Sequence, residues 1–308
     1  MKITFYIIRI ISGLLIALTG YYSLTNVDFA EYLIVDIGIS DWLGAIYLIR
    51  LLCGLLIGAG LALIFVPGKQ RAAIITALVA SSFLLIYQLL QVSLVKFSKC
   101  YVCLSEFENI SRFQGVYLSI ILVAIFSLML WKGPELKAFR FNKLVSGLLL
   151  TIGLVVPFVL NYPPHWAIYG EVDRADINLP LNLTGLRDSS YLTNGEINPN
   201  LESGDHLVCM ISLTCPYCTR AAYKLHVLKE RNPQADITLV MNGDSAYFDR
   251  FMKRTLIGNL PFVFVNGRLF NELSENSYPK IYLVKESVAV KVIEFWSLED
   301  NDIPSIKQ

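Results

Sequence analysis

Long apolar segments separated by short polar loops make up the first half of the chain. Five of them approach or exceed the roughly 20 residues that a helix needs to cross a bilayer core. They are Ile3–Leu24, Trp42–Val66, Ala72–Val95, Gly115–Trp131 and Leu144–Leu160. The first is long for the apolar region of a signal peptide, lacks a convincing small-x-small cleavage site and is followed by four more spans, so we interpret it as a retained helix. The pattern predicts a membrane all-α bundle of five transmembrane helices over residues 1–160.

The pattern changes after residue 160. Residues 161–205 are rich in Asn, Asp, Ser, Gly and Pro, which predicts a connector with a hairpin at Thr193–Glu196. Residues 206–308 show short apolar runs alternating with helical spacing, which predicts an α/β domain. The predicted strands are Leu207–Ser212, Ile237–Asn242, Pro261–Val265 with a following Asn266–Gly267 turn, Lys280–Lys285 and Val288–Glu294, and the predicted helices are Cys215–Arg231 and Ser245–Leu256.

Composition and loop charge favour a membrane protein with a defined orientation. Hydrophobic residues make up 55% of the chain and charged residues 17%, and the net charge of +1 without a basic block argues against nucleic-acid binding. Lys2 and Arg9 flank the start of the first span, and the loops Pro67–Arg71 and Lys132–Lys143 are basic, whereas Asn26–Asp41 has no Lys or Arg. Because basic loops stay cytoplasmic, the N-terminus is predicted inside and everything after residue 160 outside.

Two Cys-x-x-Cys pairs fall on this outer side, where disulfides form and persist. Cys100–Cys103 lies in the loop after the third span, and Cys215–Cys218 begins a predicted helix. A dithiol exchanges two electrons for a disulfide, and two such pairs can pass electrons on through a mixed disulfide. Either pair could instead be a fixed disulfide or a metal site, for which His206 and His226 are the histidines near the second pair.

The C-terminal pattern resembles the thioredoxin fold, because a strand leads into Cys-x-x-Cys at a helix start and an X-Pro precedes an antiparallel strand pair. Cys215 would then be the nucleophile, since unpaired N–H groups and the macrodipole at a helix N-terminus favour a thiolate. Cys218, one turn further on, would be the resolving thiol. Pro216 is tolerated at an early helical position because its missing N–H has no helical partner there.

The resemblance also implies a cis-proline that faces the dithiol and shapes the groove for a client chain. Pro279 fits best because a strand pair follows it directly, and Pro261 is the rival. With Pro279 in this role, the strand and helix around Pro261–Leu273 would be an insertion. The residues predicted to bind the client are Pro216, Tyr217, Tyr278 and Pro279.

Three further residues are ambiguous. Cys209 stands where thioredoxins often carry a buried acid, and we interpret it as a small core residue. Arg50 lies inside the second span, so it either faces a polar partner or cavity or extends to the outer face. Cys53, on the next turn, is interpreted as a packing residue, and Gly54, Gly58 and Gly60 as sites of close helix packing.

The bundle resembles the MauE/DoxX group of membrane proteins in the segments Ile8–Leu15 and Leu52–Gly60 and in a third span that ends in a cysteine pair. It is similar in design to bacterial vitamin K epoxide reductase homologues, which join a helical bundle to an external thioredoxin-like domain. The resemblance covers residues 1–131 and 206–295. It departs in the spacing of Cys100–Cys103 and in the absence of a cysteine pair from Asn26–Asp41, so the two pairs present would have to exchange directly.

Together these features predict a membrane thiol–disulfide oxidoreductase with an extracytoplasmic thioredoxin-like domain. The resemblance implies a bacterial inner membrane, exported proteins with thiols or disulfides as clients, and a quinone as the final electron acceptor. No metal is expected. Two alternatives stay open, namely an outward reductase of mispaired disulfides and a non-catalytic assembly factor for an exported metabolic enzyme.

Overall fold

A computed structural model describes residues 2–66, 71–94, 112–132, 140–164, 167–168, 174–180, 192–194, 204–286 and 288–303. By its internal contacts the chain divides into two compact units, Met1–Pro163 and Pro164–Gln308. The first unit is helical, and the second is built on a mixed β-sheet.

The first unit contains long apolar helices. In chain order the helices are α1 (Lys2–Thr25), α2 (Val27–Asp36), α3 (Trp42–Phe65), α4 (Arg71–Leu94), α5 (Arg112–Lys132) and α6 (Arg140–Leu160). Of these, α1, α3, α4 and α5 are long and apolar enough to cross a membrane. The fifth predicted span, Leu144–Leu160, is helical and apolar but shorter than the other four, and it contains Pro157. Within the described residues, length and composition therefore support four spans, and a shorter apolar helix lies where the fifth was predicted.

Helix α3 packs against α1, α4 and α6. Its glycines allow two of these contacts, because a helix without a side chain at the crossing point can approach its neighbour's backbone. A Cβ added at Gly54 would lie 2.8 Å from the Cα of Leu154 in α6, and one at Gly60 would lie 2.5 Å from the carbonyl oxygen of Gly13 in α1. The predicted close packing at these glycines is confirmed.

The segment Asn26–Asp41, predicted as a loop between the first two spans, instead contains helix α2. Its residues from Phe29 to Val35 are all buried, Glu31 among them. The error has a physical cause. The acidic side chains suggested exposure to solvent. Glu31 is instead buried against Arg50 of α3, and the apolar residues of this short helix are buried as well.

The described residues of the second unit form one seven-stranded sheet in the order β1-β7-β6-β3-β4-β5-β2. Its strands are β1 (Arg174–Pro180), β2 (Leu192–Asn194), β3 (Asp205–Ser212), β4 (Ile237–Asn242), β5 (Phe262–Val265), β6 (Lys280–Lys285) and β7 (Val288–Ile293). Strands β3, β4 and β5 are parallel, and β6 pairs antiparallel with both β3 and β7. The helices are α7 (Pro216–Arg231), α8 (Phe248–Thr255) and α9 (Gly267–Ser274).

The connector differs from its prediction. Its strand β2 pairs antiparallel with β5, and β1 pairs antiparallel with β7, so both extend the sheet at its edges. Gly195 and Glu196 of the predicted hairpin lie outside the described residues. The Asn266–Gly267 turn is instead the start of α9, where the Asn266 side chain accepts a hydrogen bond from the Leu269 N–H at 3.0 Å. Asparagine serves both roles, and the following helix decides between them.

The core of the sheet lies beneath β3, which is buried from His206 to Ser212. Side chains of β3, β4, β5, β6 and α9 form one apolar cluster, which includes Val208, Met210, Val240, Val263, Phe270 and Tyr282. Helix α7 starts four residues after this central strand ends. Cys215 therefore lies just after the carboxyl end of the buried central strand β3.

Candidate functional site

Cys215 is the N-cap residue of α7, with Pro216 at the first helical position. Its sulfur accepts a hydrogen bond from the backbone N–H of Cys218 at 3.3 Å. An N–H group aimed at the sulfur from a helix N-terminus stabilises negative charge on it. Because Cys215 is only half-buried, a partner molecule can reach this sulfur.

Cys218 lies one turn further along α7 and is fully buried. Its sulfur accepts a hydrogen bond from the backbone N–H of Ser212 at 3.3 Å. Burial raises the pKa of the Cys218 thiol, because a thiolate there would lose its hydration. Both cysteines are free thiols in this structure. The pair thus combines one accessible sulfur with one protected sulfur in a single helical turn.

Tyr278 and Pro279 lie next to this pair. The Tyr278–Pro279 peptide bond is cis, whereas the bond before the rival Pro261 is not among the cis bonds of the described chain. The thiol of Cys215 is 3.9 Å from the carbonyl oxygen of Tyr278 and points toward it. Strand β6, which starts directly after Pro279, pairs with β3 and so holds this carbonyl beside the dithiol. The predicted choice of Pro279 over Pro261 agrees with this geometry.

Two aromatic pairs include residues next to the dithiol in the structure. Tyr217, between the two cysteines, is 50% exposed, and its ring meets Trp296 edge-on at 5.7 Å. The Arg220 guanidinium lies over the Tyr217 ring at 5.6 Å. Tyr278 is exposed and its ring packs 5.4 Å from that of buried Phe270. Sequence reasoning missed Trp296 and Phe270, which are far from the cysteines along the chain. It also missed Arg220, which its i, i+3 spacing from Tyr217 on the helix could have indicated.

Cys209 is fully buried in the centre of β3, opposite Leu239 and Ile281. Burial raises the pKa of its thiol, so it stays protonated and uncharged. Its interpretation as a core residue is confirmed. His206 Nδ1 lies 2.8 Å from Asp236 Oδ2. In the described part of the chain no group of three or more His, Cys, Asp and Glu side chains is arranged to hold a metal ion.

Arg50 in the first unit has a buried partner, so the alternative prediction that its side chain extends to the outer face is wrong. Its guanidinium forms an ion pair with Glu31 of α2, and both side chains are almost fully buried. Its Nε also donates to the carbonyl oxygen of Asn161 at 2.9 Å, just after α6. Cys53, one turn further along α3, is fully buried. This polar cluster holds α2, α3 and the end of α6 together.

Cys100 and Cys103 lie outside the described residues. Comparisons of the chain with protein-family models, with curated proteins and with solved structures find no match. The function is therefore inferred from the geometry around Cys215 and Cys218 and from the chemistry of the sequence.

Proposed function

We propose that the chain is a membrane thiol–disulfide oxidoreductase and that its second unit is a thioredoxin-like domain. Two elements of the fold support this proposal. A parallel β3–α7–β4 unit carries Cys-x-x-Cys at the helix start, and an antiparallel β6–β7 pair follows a cis-proline. Strand β5 and helix α9 are inserted between these parts. Strand β5 extends the sheet beyond β4.

One observation carries the proposal, namely the accessible Cys215 sulfur beside the Tyr278 carbonyl with the buried Cys218 one turn away. Nucleophilic exchange needs a sulfur that a client can reach and a second sulfur that is shielded until the first has reacted. A fixed disulfide in so short a loop would stabilise the fold little.

The proposed exchange moves two electrons. In the reducing direction the Cys215 thiolate attacks a client disulfide, one client sulfur leaves as a thiolate, and a mixed disulfide forms. Cys218 then loses its proton and attacks the Cys215 sulfur. The Cys215–Cys218 disulfide forms, and the client leaves with two reduced sulfurs. Run in reverse, the same steps oxidise a client dithiol.

Exchange with Cys100–Cys103 would link this chemistry to the membrane. If α6 crosses the membrane as the predicted fifth span, the loop charges favour the outer side for both pairs. Two pairs in one chain meet at an effective concentration of about millimolar when the linker is short and flexible. The quinone as final acceptor, the bacterial inner membrane and the exported clients come from the resemblance to the MauE/DoxX group and the epoxide reductase homologues.

The test is to trap the mixed disulfide. In the full chain, Cys218→Ala should accumulate adducts of Cys215 with Cys100, with Cys103 or with client proteins, because the resolving sulfur is gone. Cys209→Ala is the matched control, since it removes a buried cysteine of the same domain and should accumulate none.

Two results would contradict the proposal. One is the absence of any Cys215 adduct in Cys218→Ala cells. The other is full activity in cells of a Cys215→Ser variant, which is the expectation for a non-catalytic assembly factor. The reduction potentials of the two pairs give the direction of electron flow, since electrons pass to the pair with the higher potential.

A further inference from the structure

The chain returns to the dithiol helix after β7. We call the segment Glu294–Asp302 the C-terminal strap. Its residue Trp296 contacts Tyr217 in the first turn of α7, and its residue Asp300 contacts Arg231 at the last turn. The strap therefore follows α7 from the dithiol to the opposite end.

Hydrogen bonds attach the strap at two places. The Lys224 ammonium donates to the carbonyl oxygen of Trp296 at 2.8 Å, and Lys224 is only 2% exposed. Burying an ammonium is costly unless it is hydrogen-bonded, so this contact holds the backbone at Trp296 firmly. At the other end, Asp300 accepts from Arg231 Nε at 3.1 Å and from Asn232 Nδ2 at 2.8 Å.

The strap in turn holds Tyr217. The Trp296 ring packs against Phe295, which is buried, and meets Tyr217 edge-on at 5.7 Å. The Arg220 guanidinium adds a second contact to the Tyr217 ring at 5.6 Å. An exposed tyrosine would otherwise sample several rotamers, and these two contacts restrict it.

We propose that Trp296 is a positioning residue for the dithiol and acts through Tyr217; this inference rests on the proposed function. Tyr217 belongs to the turn that joins the two cysteines, so fixing its side chain restricts the turn. A restricted turn holds the Cys215 and Cys218 sulfurs near each other and lowers the entropy lost when their disulfide forms. The strap thereby favours disulfide closure.

The equilibrium with glutathione measures this effect. The dithiol reacts with one glutathione disulfide to give the Cys215–Cys218 disulfide and two reduced glutathiones, so electrons and protons balance. The measurement uses the full chain in detergent with Cys100→Ser and Cys103→Ser, so that Cys215–Cys218 is the pair that reacts. An edge-on aromatic pair corresponds to about a two- to tenfold change in an equilibrium constant. Trp296→Ala should lower the constant for disulfide formation by that factor, and Trp296→Phe should largely restore it.

A double variant separates positioning from general stability. If Trp296 acts through Tyr217, then Trp296→Ala should have no further effect in a Tyr217→Ala background. Asp300→Ala is the control, since it loosens the far end of the strap; it should lower the unfolding midpoint and leave the glutathione equilibrium unchanged.

The inference is overturned if folded Trp296→Ala keeps the parent equilibrium constant, or if it lowers the constant equally with and without Tyr217. Failure of the parent to form any Cys215–Cys218 disulfide is a different result, because it would overturn the proposed function itself. The two failures are thus distinguishable in one titration series.

Discussion

The buried ion pair between Glu31 and Arg50 allows a sharp test of how the first unit is held together. Arg50→Met removes the guanidinium and leaves the Glu31 carboxyl in a buried site, and Glu31→Leu leaves the guanidinium there without that carboxylate. The double substitution removes both charges. The Glu31 side chain is 6% exposed and the Arg50 side chain 1%, so solvent cannot screen either charge effectively.

The expected magnitudes differ between single and double substitutions. Breaking a buried ion pair by removing one partner costs about 3–5 kcal/mol, whereas replacing both by apolar residues of similar size is often near neutral. Arg50 also donates to the carbonyl oxygens of Ile46 and Asn161, both at 2.9 Å, so its loss loosens the end of α6 as well. We expect Arg50→Met to be the more damaging single substitution.

The comparison is made by measuring the free energy of unfolding of the full chain. The protein is held in detergent micelles and unfolded by titration with SDS. Each single variant is expected to lose about 3–5 kcal/mol, and the double variant is expected to recover most of that loss. If the two losses simply add in the double variant, Glu31 and Arg50 are not coupled and the cluster does not join α2 to α3.

Further expectations concern packing and pH. Gly54→Val should destabilise the α3–α6 contact by about 1–3 kcal/mol or more through overpacking, whereas Gly147→Ala, where an added Cβ meets nothing within 4 Å, should be neutral or slightly stabilising in the same SDS titration. Folded Cys218 and Cys209 both keep their protons at a pH where the unfolded chain releases them, because burial raises the pKa of each thiol. Cys218 alone should therefore cost the reduced protein roughly 1.4 kcal/mol of stability per pH unit above about pH 8.5. A denaturation series that shows no smaller slope for Cys218→Ala contradicts this. Cys209→Ala should leave the glutathione equilibrium unchanged, and a shifted equilibrium would give Cys209 a redox role.

Local patterns carried the prediction where the structure depends on neighbours in sequence. The positions of Cys215 and Cys218 follow from a strand running into a helix, and the choice of Pro279 over Pro261 follows from the strand pair behind it. The strands β4 and β6 were predicted with the bounds that the structure shows, since each is a short apolar run between turn residues.

Distant contacts account for what was missed. Strands β1 and β2 are edge strands whose partner residues lie 70 or more residues away along the chain, so no local pattern predicts them. The same holds for Trp296, which reaches Tyr217 only because the chain returns along α7. For Arg50 a polar partner was one of two predictions, and that partner, Glu31, lies in a helix whose acidic residues suggested a loop.

Thiol trapping in growing cells tests directly whether Cys215–Cys218 exchanges electrons with Cys100–Cys103. Cells are quenched with acid, free thiols are alkylated, and the redox state of each pair is read from the mass added. Replacing Cys100 and Cys103 with serine should drive Cys215–Cys218 almost wholly into one redox state, because its exchange partner is gone. An unchanged ratio of dithiol to disulfide at Cys215–Cys218 would show that the two pairs do not exchange electrons.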